Sequence, residues 1–287
     1  MAERIVGVIG GSGLYELGGL QDVEELEVTT PFGPPSDRIV SGTLERVRLM
    51  FLPRHGRGHR LLPSEIPYRA NIYALKKLGV ERVISVSAVG SMRENLVPGD
   101  LMIPDQFFDR TQKRVNTFFG DGLVAHVSLA DPVCAELSAI LYESAREAEA
   151  VVHRGGTYLC IEGPAFSTRA ESCIYQSWGV DVIGMTNLPE ACLAREAELC
   201  YATLALVTDF DCWHSAVDKV TAVEILATFR RNVHVARQII AIAVGKLGGA
   251  PSCACGKALS DTFISARERV SAATLERLAV IVGKYFL

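Results

Sequence analysis

Apolar positions along the chain follow two periods that take turns. A continuous apolar run, Ile5-Val6-Gly7-Val8-Ile9, ends in Gly10-Gly11-Ser12-Gly13, which predicts a buried strand feeding a tight glycine turn. Runs over 38–43 and 47–52, joined by a short polar turn, predict a hairpin. Over 68–78 the spacing changes, and Ala70, Ile72, Tyr73, Ala74, Leu75 and Leu78 fall on one helical face. Beyond it the pattern predicts strands over 82–88, 100–104, 157–161, 181–184 and 201–208, and helices over 132–148, 170–178, 189–199 and 222–247. Strand and helix alternating in this way predict an α/β fold: a single domain with a central mixed, mostly parallel sheet flanked by helices.

No internal repeat or low-complexity linker interrupts residues 1–247, which are read as that domain. The remaining stretch, 248–287, begins as a loop rich in Gly, Pro, Ser and Cys over 248–257 and regains helical apolar spacing over 272–285. It is either a capping helix on the same domain or an arm that contacts another subunit.

Composition adds exclusions. With 49% hydrophobic and 22% charged residues the chain has ample material for a core and no signature of disorder. A formal net charge of -4 supplies no electrostatic reason to bind nucleic acid. The N-terminus lacks the layout of a signal peptide, and no apolar run matches the thickness of a bilayer, so the expectation is a cytoplasmic protein with no membrane partner. Eight cysteines in 287 residues do not make a secreted disulfide scaffold. Cys253 and Cys255 form a C-x-C with no second Cys or His pair near it in sequence, so free buried thiols and no metal are expected.

Chemistry gathers where strands end. Gly10 to Gly13 could offer backbone N–H groups and the Ser12 hydroxyl to an anion, or could be an ordinary turn. The dinucleotide and P-loop patterns both fail, since Glu16 occupies the third glycine position and no Gly-Lys-Ser/Thr follows. Arg54-His55-Gly56-Arg57-Gly58-His59 packs four basic side chains into six residues after an apolar strand; it is an anion site or a solvated basic loop. Ser85 to Ser91, Met185-Thr186-Asn187 and Thr208-Asp209-Phe210-Asp211 also follow strands, where open α/β sheets place their ligands. Asp209 and Asp211, one residue apart, would face one side of an extended segment. They could hold a metal, do acid–base work or accept from an amino group, or else Asp209 caps a turn and Asp211 is solvated. Thr168 and Glu171 have the spacing of a capping box. Phe166, just before them, is either core or a surface on which a base stacks.

The ordered motifs G-G-S-G-L, T-P-F-G-P-P-S-D, R-H-G-R-G-H, E-G-P-A-F-S-T-R-A-E-S, G-M-T-N-L-P-E-A and T-D-F-D-C-W resemble those of the methylthioadenosine phosphorylase family, within the purine nucleoside phosphorylases. The similarity runs over roughly residues 6–247. It implies a purine nucleoside phosphorylase-like fold and a homotrimer, or a hexamer built from trimers. It further implies that Ser12, Arg54, His55, Ser87, Ala88 (through its N–H) and Thr186 bind phosphate. Met185 would lie against the ribose, with Phe166, Ser167, Asp209 and Asp211 around the base. Ala222 and Ile225 would line the methylthio pocket, and His126 would reach a neighbouring subunit's site. Ser87 stands where many relatives carry Thr, and Ala222 where Val is common. Cys134 and Cys200 match positions that are bridged in some heat-adapted relatives, and the C-x-C resembles a pair in their tails.

That resemblance implies phosphorolysis of 5'-methylthioadenosine in purine and methionine salvage, with Asp209 and Asp211 as the catalytic pair. No cofactor is needed and inorganic phosphate is a co-substrate. Alternatives are a phosphorylase acting on inosine, guanosine or adenosine, and a non-catalytic nucleoside-binding protein. The D-x-D favours a 6-aminopurine, because carboxylates accept from an N6 amino group and are repelled by O6.

Overall fold

The computed structural model describes residues 4–11, 13–14, 16–214 and 222–286, with the side chains of 222–227, 229 and 230 outside the description. Eleven strands join one sheet. In chain order they are β1 (Arg4–Gly10), β2 (Gln21–Leu26), β3 (Ile39–Leu44), β4 (Val47–Pro53), β5 (Arg82–Ser91), β6 (Leu101–Ile103), β7 (Gln106–Arg110), β8 (Val152–Arg154), β9 (Thr157–Ile161), β10 (Val182–Gly184) and β11 (Cys200–Phe210). The helices are α1 (Tyr68–Lys77), α2 (Ala135–Glu147), α3 (Arg169–Ser177), α4 (Asn187–Glu196), α5 (Ala222–Lys246), α6 (Ala272–Arg277) and α7 (Ala279–Phe286).

The sheet forks at β5. Its first half pairs in parallel with β1 on one side and β11 on the other. Its last residues, Gly90 and Ser91, pair antiparallel with β10, which continues to β9 and β7. Parallel pairing joins β1 to β4, β6 to β8 and β9 to β10, while β2–β3, β3–β4 and β6–β11 are antiparallel. The fork brings the carboxyl ends of β1, β4, β5, β10 and β11 to one place.

Alternation within the central strands explains why helices cover both faces. Along β11, Cys200, Ala202, Leu204 and Leu206 enter one core, and Tyr201, Ala205 and Val207 enter the other. In β4, Val47, Leu49 and Phe51 go one way while Met50 and Leu52 go the opposite way. The first core is closed by α2 and α5 through Leu137, Leu141, Ala236 and Ile240, the second by α1, α4 and α7 through Ile72, Leu75, Leu193 and Val282. Each fully buried leucine of β11 contributes about 1.5–3 kcal/mol by leaving water. No described helix is long and apolar enough to cross a membrane.

Departures from the predicted elements have local causes. Strand β2 is exposed along nearly all of its length and carries Gln, Asp and Glu, so it pairs as a polar edge with no apolar signature. Strand β7 is likewise mostly exposed, and β8 has three residues. The predicted strand over 201–208 extends to Phe210, because the register shifts between Val207 and Asp209 and pairing with β5 then resumes. The predicted helix over 189–199 starts at Asn187 and ends at Glu196, with Leu188 out of helical conformation. The predicted tail helix splits at Leu278 into α6 and α7. The tail lies on its own chain: Tyr285 Oη donates to Glu198 at 2.6 Å and Lys284 pairs with the same carboxylate at 2.6 Å.

Candidate active site

Arg54 follows the last residue of β4 and is 2% exposed, which rules out the solvated-loop alternative for it. Its Nε and Nη2 donate to the two carboxylate oxygens of Glu190 at 2.8 and 2.9 Å, a paired fork-to-carboxylate contact. Nη2 also reaches Ser85 Oγ at 2.7 Å, and Nη1 donates to Val86 O at 2.9 Å. Glu190, on α4, is 1% exposed and accepts further from Ser85 Oγ and Tyr201 Oη, each at 2.9 Å. Most of the guanidinium is therefore committed to the fold, with the second hydrogen of Nη1 left to point elsewhere.

His55 is half-buried and stacks on exposed His59 at 4.2 Å between centroids. Burial pulls its pKa down to about 4, against a contact with Leu61 O that works the other way. The ring is thus neutral. Nδ1 lies 2.9 Å from Leu61 O, so Nδ1 carries the proton and donates, leaving Nε2 as an acceptor.

On β5, Ser87 Oγ lies 3.2 Å from both Thr186 Oγ1 and Tyr158 Oη. The three hydroxyls form a buried cluster at the fork, with backbone Ala88 beside them. Tyr158 reaches it because residue 184 is glycine: a Cβ there would stand 1.9 Å from the Tyr158 oxygen. Burial pushes the Tyr158 hydroxyl well up, so it stays neutral. Ser12 lies outside the described residues.

Asp209 and Asp211 converge over Gly90. A Cβ on that glycine would stand 3.3 Å from Asp209 Oδ2 and 3.6 Å from Asp211 Cβ. The bulge at Thr208 re-aims Asp209. Asp209 Oδ1 accepts from Thr208 Oγ1 at 2.6 Å; burial lifts its pKa to about 6, and the Asp211 charge adds to that. Asp211 is 8% exposed, not solvated, and accepts from Ser172 Oγ at 2.5 Å; burial raises its pKa too.

The 162–168 loop borders this end. Phe166 is 60% exposed and so does not belong to the core, while Ser167 Oγ is buried with no hydrogen-bond partner among the described residues. Thr168 and Glu171 form the expected capping box on α3. Arg114, which sequence reasoning did not single out, ties the loop down. Its Nη1 donates to Met185 O and Leu188 O at 2.6 Å each, its Nη2 to Glu162 O at 2.7 Å, and its Nε to Glu162 Oε1 at 3.1 Å. Half-buried Met185 is positioned from behind by this staple.

Three other expected residues are not joined to this cluster by any described contact. Ala222 and Ile225 lie in the first turns of α5, their side chains outside the described residues. His126 is exposed and lines a separate cleft of about 470 Å³ with Thr117, Cys192 and Glu196. Glu190, Tyr158, Ser172 and Arg114 are the site residues missed from sequence. Ser172 and Glu190 lie inside the motifs E-G-P-A-F-S-T-R-A-E-S and G-M-T-N-L-P-E-A, whereas Tyr158 and Arg114 lie in none.

The chain as a whole is similar to known phosphorylases. The phosphorylase superfamily model matches residues 5–244. S-methyl-5'-thioadenosine phosphorylase from Geobacter sulfurreducens is 61% identical over 99% of both chains, and that from Koribacter versatilis is 56% identical over 98% of this chain and 96% of its own. Among solved structures, a methylthioadenosine phosphorylase from an antarctic soil metagenomic library has a TM-score of 0.93 at 50% identity, covering 98% of this chain and 99% of its own. A mutant adenosine/methylthioadenosine phosphorylase from Schistosoma mansoni, in complex with methylthioadenosine, has a TM-score of 0.78 at 41% identity, covering 84% of this chain and 91% of its own.

Proposed function

The chain belongs to the phosphorylase superfamily, and from that premise we propose that it cleaves 5'-methylthioadenosine with inorganic phosphate, giving adenine and 5-methylthioribose 1-phosphate. The observation that carries the reading is the pair of carboxylates, half-buried Asp209 and buried Asp211, that converge over Gly90, the first holding its proton up to about 6, with Gly90 on the same strand as Ser87 of the hydroxyl cluster. Three residue steps along the strand lead from Ser87 to Gly90, about 10 Å, a span for a ribosyl group between an anion and a base.

Phosphate sits against Ser12, Ser87, Thr186, the Ala88 N–H and the free hydrogen of Arg54 Nη1. Neutral His55 accepts through Nε2 from a protonated phosphate oxygen. The nucleoside's ribose rests on Met185, and its base lies between Phe166 and the loop at Ser167. As the C1'–N9 bond breaks, its electron pair moves onto the purine and C1' becomes cationic. A phosphate oxygen stabilises that centre and then bonds to it. Protonated Asp209 gives its proton to N7, and Asp211, held by Ser172, accepts from the N6 amino group. The reaction asks for no cofactor, phosphate being the co-substrate. A homotrimer, or a hexamer of trimers, would let exposed His126 complete a neighbour's 5' end.

Adenine release from methylthioadenosine, with and without phosphate and beside adenosine and inosine, tests the reading. Release that depends on phosphate and favours the 6-amino nucleosides is expected. Preference for inosine, or binding without turnover, overturns it.

A further inference from the structure

Four cysteines unused by the proposed reaction converge far from it. Cys200 opens β11, nine residues before Asp209 and about 30 Å away along an extended strand. Cys134 precedes α2 and caps it, its Sγ accepting from Leu137 N at 3.5 Å. Cys253 precedes the 3₁₀ turn Ala254–Lys257, and Cys255 lies within it. All four Sγ atoms lie within 4.8 Å of one another. Cys253 Sγ is 3.6 Å from Cys134 Sγ and 3.3 Å from Cys200 Sγ, and none of the four is in a disulfide. The C-x-C that has no partner pair near it in sequence therefore has one in the fold.

We propose that Cys134, Cys200, Cys253 and Cys255 are the ligands of one structural zinc ion. A tetrahedron of thiolates around zinc at about 2.3 Å places its sulfurs about 3.8 Å apart, within the spread seen here. The site has room for a single ion rather than a multi-iron cluster, whose own core holds its thiolates apart. Four soft donors without a carboxylate select zinc over magnesium or calcium. Three of the thiols are buried and Cys253 is half-buried, as suits a closed structural site.

N–H donors point at two of the four sulfurs. Arg195 Nη1 donates to Cys255 Sγ at 3.7 Å, and Cys134 sits at the N-terminus of a 13-residue helix, where the Leu137 N–H points at its sulfur. Such donors offset the charge that four thiolates carry in excess of the ion. Each thiol releases its proton as the metal binds. The site would clamp the segment after α5 to β11 and α2. Polar contacts already run beside it: Ser252 Oγ donates to Glu136 at 2.7 Å and Arg82 Nη2 to Gly249 O at 2.8 Å.

The test is elemental analysis of the intact chain dialysed against zinc and then against buffer, with thiols counted in denaturant plus chelator and no reductant. About one zinc per chain with all eight cysteines titrating is expected. Less than about a tenth of an equivalent of zinc overturns the proposal. So does a count of six or four thiols in metal-free protein, since bridging would then occupy the cluster. The Cys253→Ser, Cys255→Ser double variant should lose the zinc and about 5–10 °C of Tm, while phosphorolysis at 25 °C is unchanged. Retention of zinc by that variant overturns the ligand assignment. If it does not fold, the metal content of the unsubstituted chain still decides, and neither the zinc content nor the thiol count depends on the substrate.

Discussion

The two ends of the site are built on opposite electrostatic plans. At the proposed phosphate end a permanent cation is buried and answered in full: Arg54 and Glu190 are 2% and 1% exposed, and every carboxylate oxygen of Glu190 has donors. At the proposed base end one half-buried and one buried acid have hydroxyls for company, and among the described residues no cation is hydrogen-bonded to either. Burial without an opposite charge raises a carboxyl pKa, whereas burial beside one locks both charges in place. The first plan makes a rigid seat that would suit an anion. The second makes a proton that is ready to move, which is what departure of a purine anion requires.

The strongest way to break the comparison is to uncouple the locked end. Glu190→Gln leaves the Arg54 charge buried and turns an amide N–H₂ toward groups that donate. Loss of one partner from a buried pair costs about 3–5 kcal/mol, so the midpoint of urea unfolding should fall sharply. In whatever folds, the phosphate KM should rise, because Arg54 is no longer aimed. A loss below about 1 kcal/mol would place the pair with exposed bridges and remove the distinction. Arg54→Ala is the less informative change, since it mixes lost phosphate contact with an orphaned Glu190.

The next effect belongs to the poised end. Asp209→Asn keeps a hydrogen-bond donor and loses the transferable proton, so turnover should drop by about 10²-fold or more with a smaller change in nucleoside KM. Tolerance of 6-oxopurines should increase. At saturating phosphate the wild-type rate should decline as pH rises through about 6, a limb that the variant lacks. His55, at about 4, does not titrate in that window. The stability contribution of Asp209 should fall in the same window. The folded pKa of Asp209 lies above its unfolded value, so its favourable contribution is complete below about 4 and is lost as pH rises through about 6. The variant should thus match the wild type at pH 4 and exceed it above pH 7 by about 1–2 kcal/mol, discounted for partial exposure. Equal Tm values at pH 8 would contradict the buried-acid account.

How much of this was legible in the sequence depended on whether a residue's role is local. Asp209 and Asp211 stand out because acids follow a nine-residue buried run, and Arg54 and His55 because basic residues crowd a glycine turn. Glu190 carries no such mark: it sits in a helical pattern where an acid ordinarily faces water, and only its contact with Arg54, 136 residues away, makes it buried. Arg114 lies in a polar stretch, and its meaning comes from carbonyls on two distant loops. The cysteine cluster is a further case, with Cys134 and Cys253 separated by 119 residues. Central strands were legible because both faces are apolar, and β2 and β7 were not because neither face is buried.

The smallest effect is expected from the one base-end residue that the fold holds loosely. Phe166 is 60% exposed on a loop anchored to either side of it, by Arg114 at Glu162 and by the capping box at Thr168. Its ring therefore contributes little to folding, and Phe166→Leu should change stability by less than about 0.5 kcal/mol. An aromatic face stacked on a purine is worth about 0.5–1.5 kcal/mol beyond its area, so the nucleoside KM should rise about two- to tenfold, with phosphate KM and the pH limb unaltered. That separation locates the ring's role in binding, while proton transfer stays with Asp209. A fall in turnover at unchanged nucleoside KM would instead mean that Phe166 acts in the transition state, by excluding water from the Asp209 carboxyl, and its substitution would then have to shift the limb near pH 6 as well.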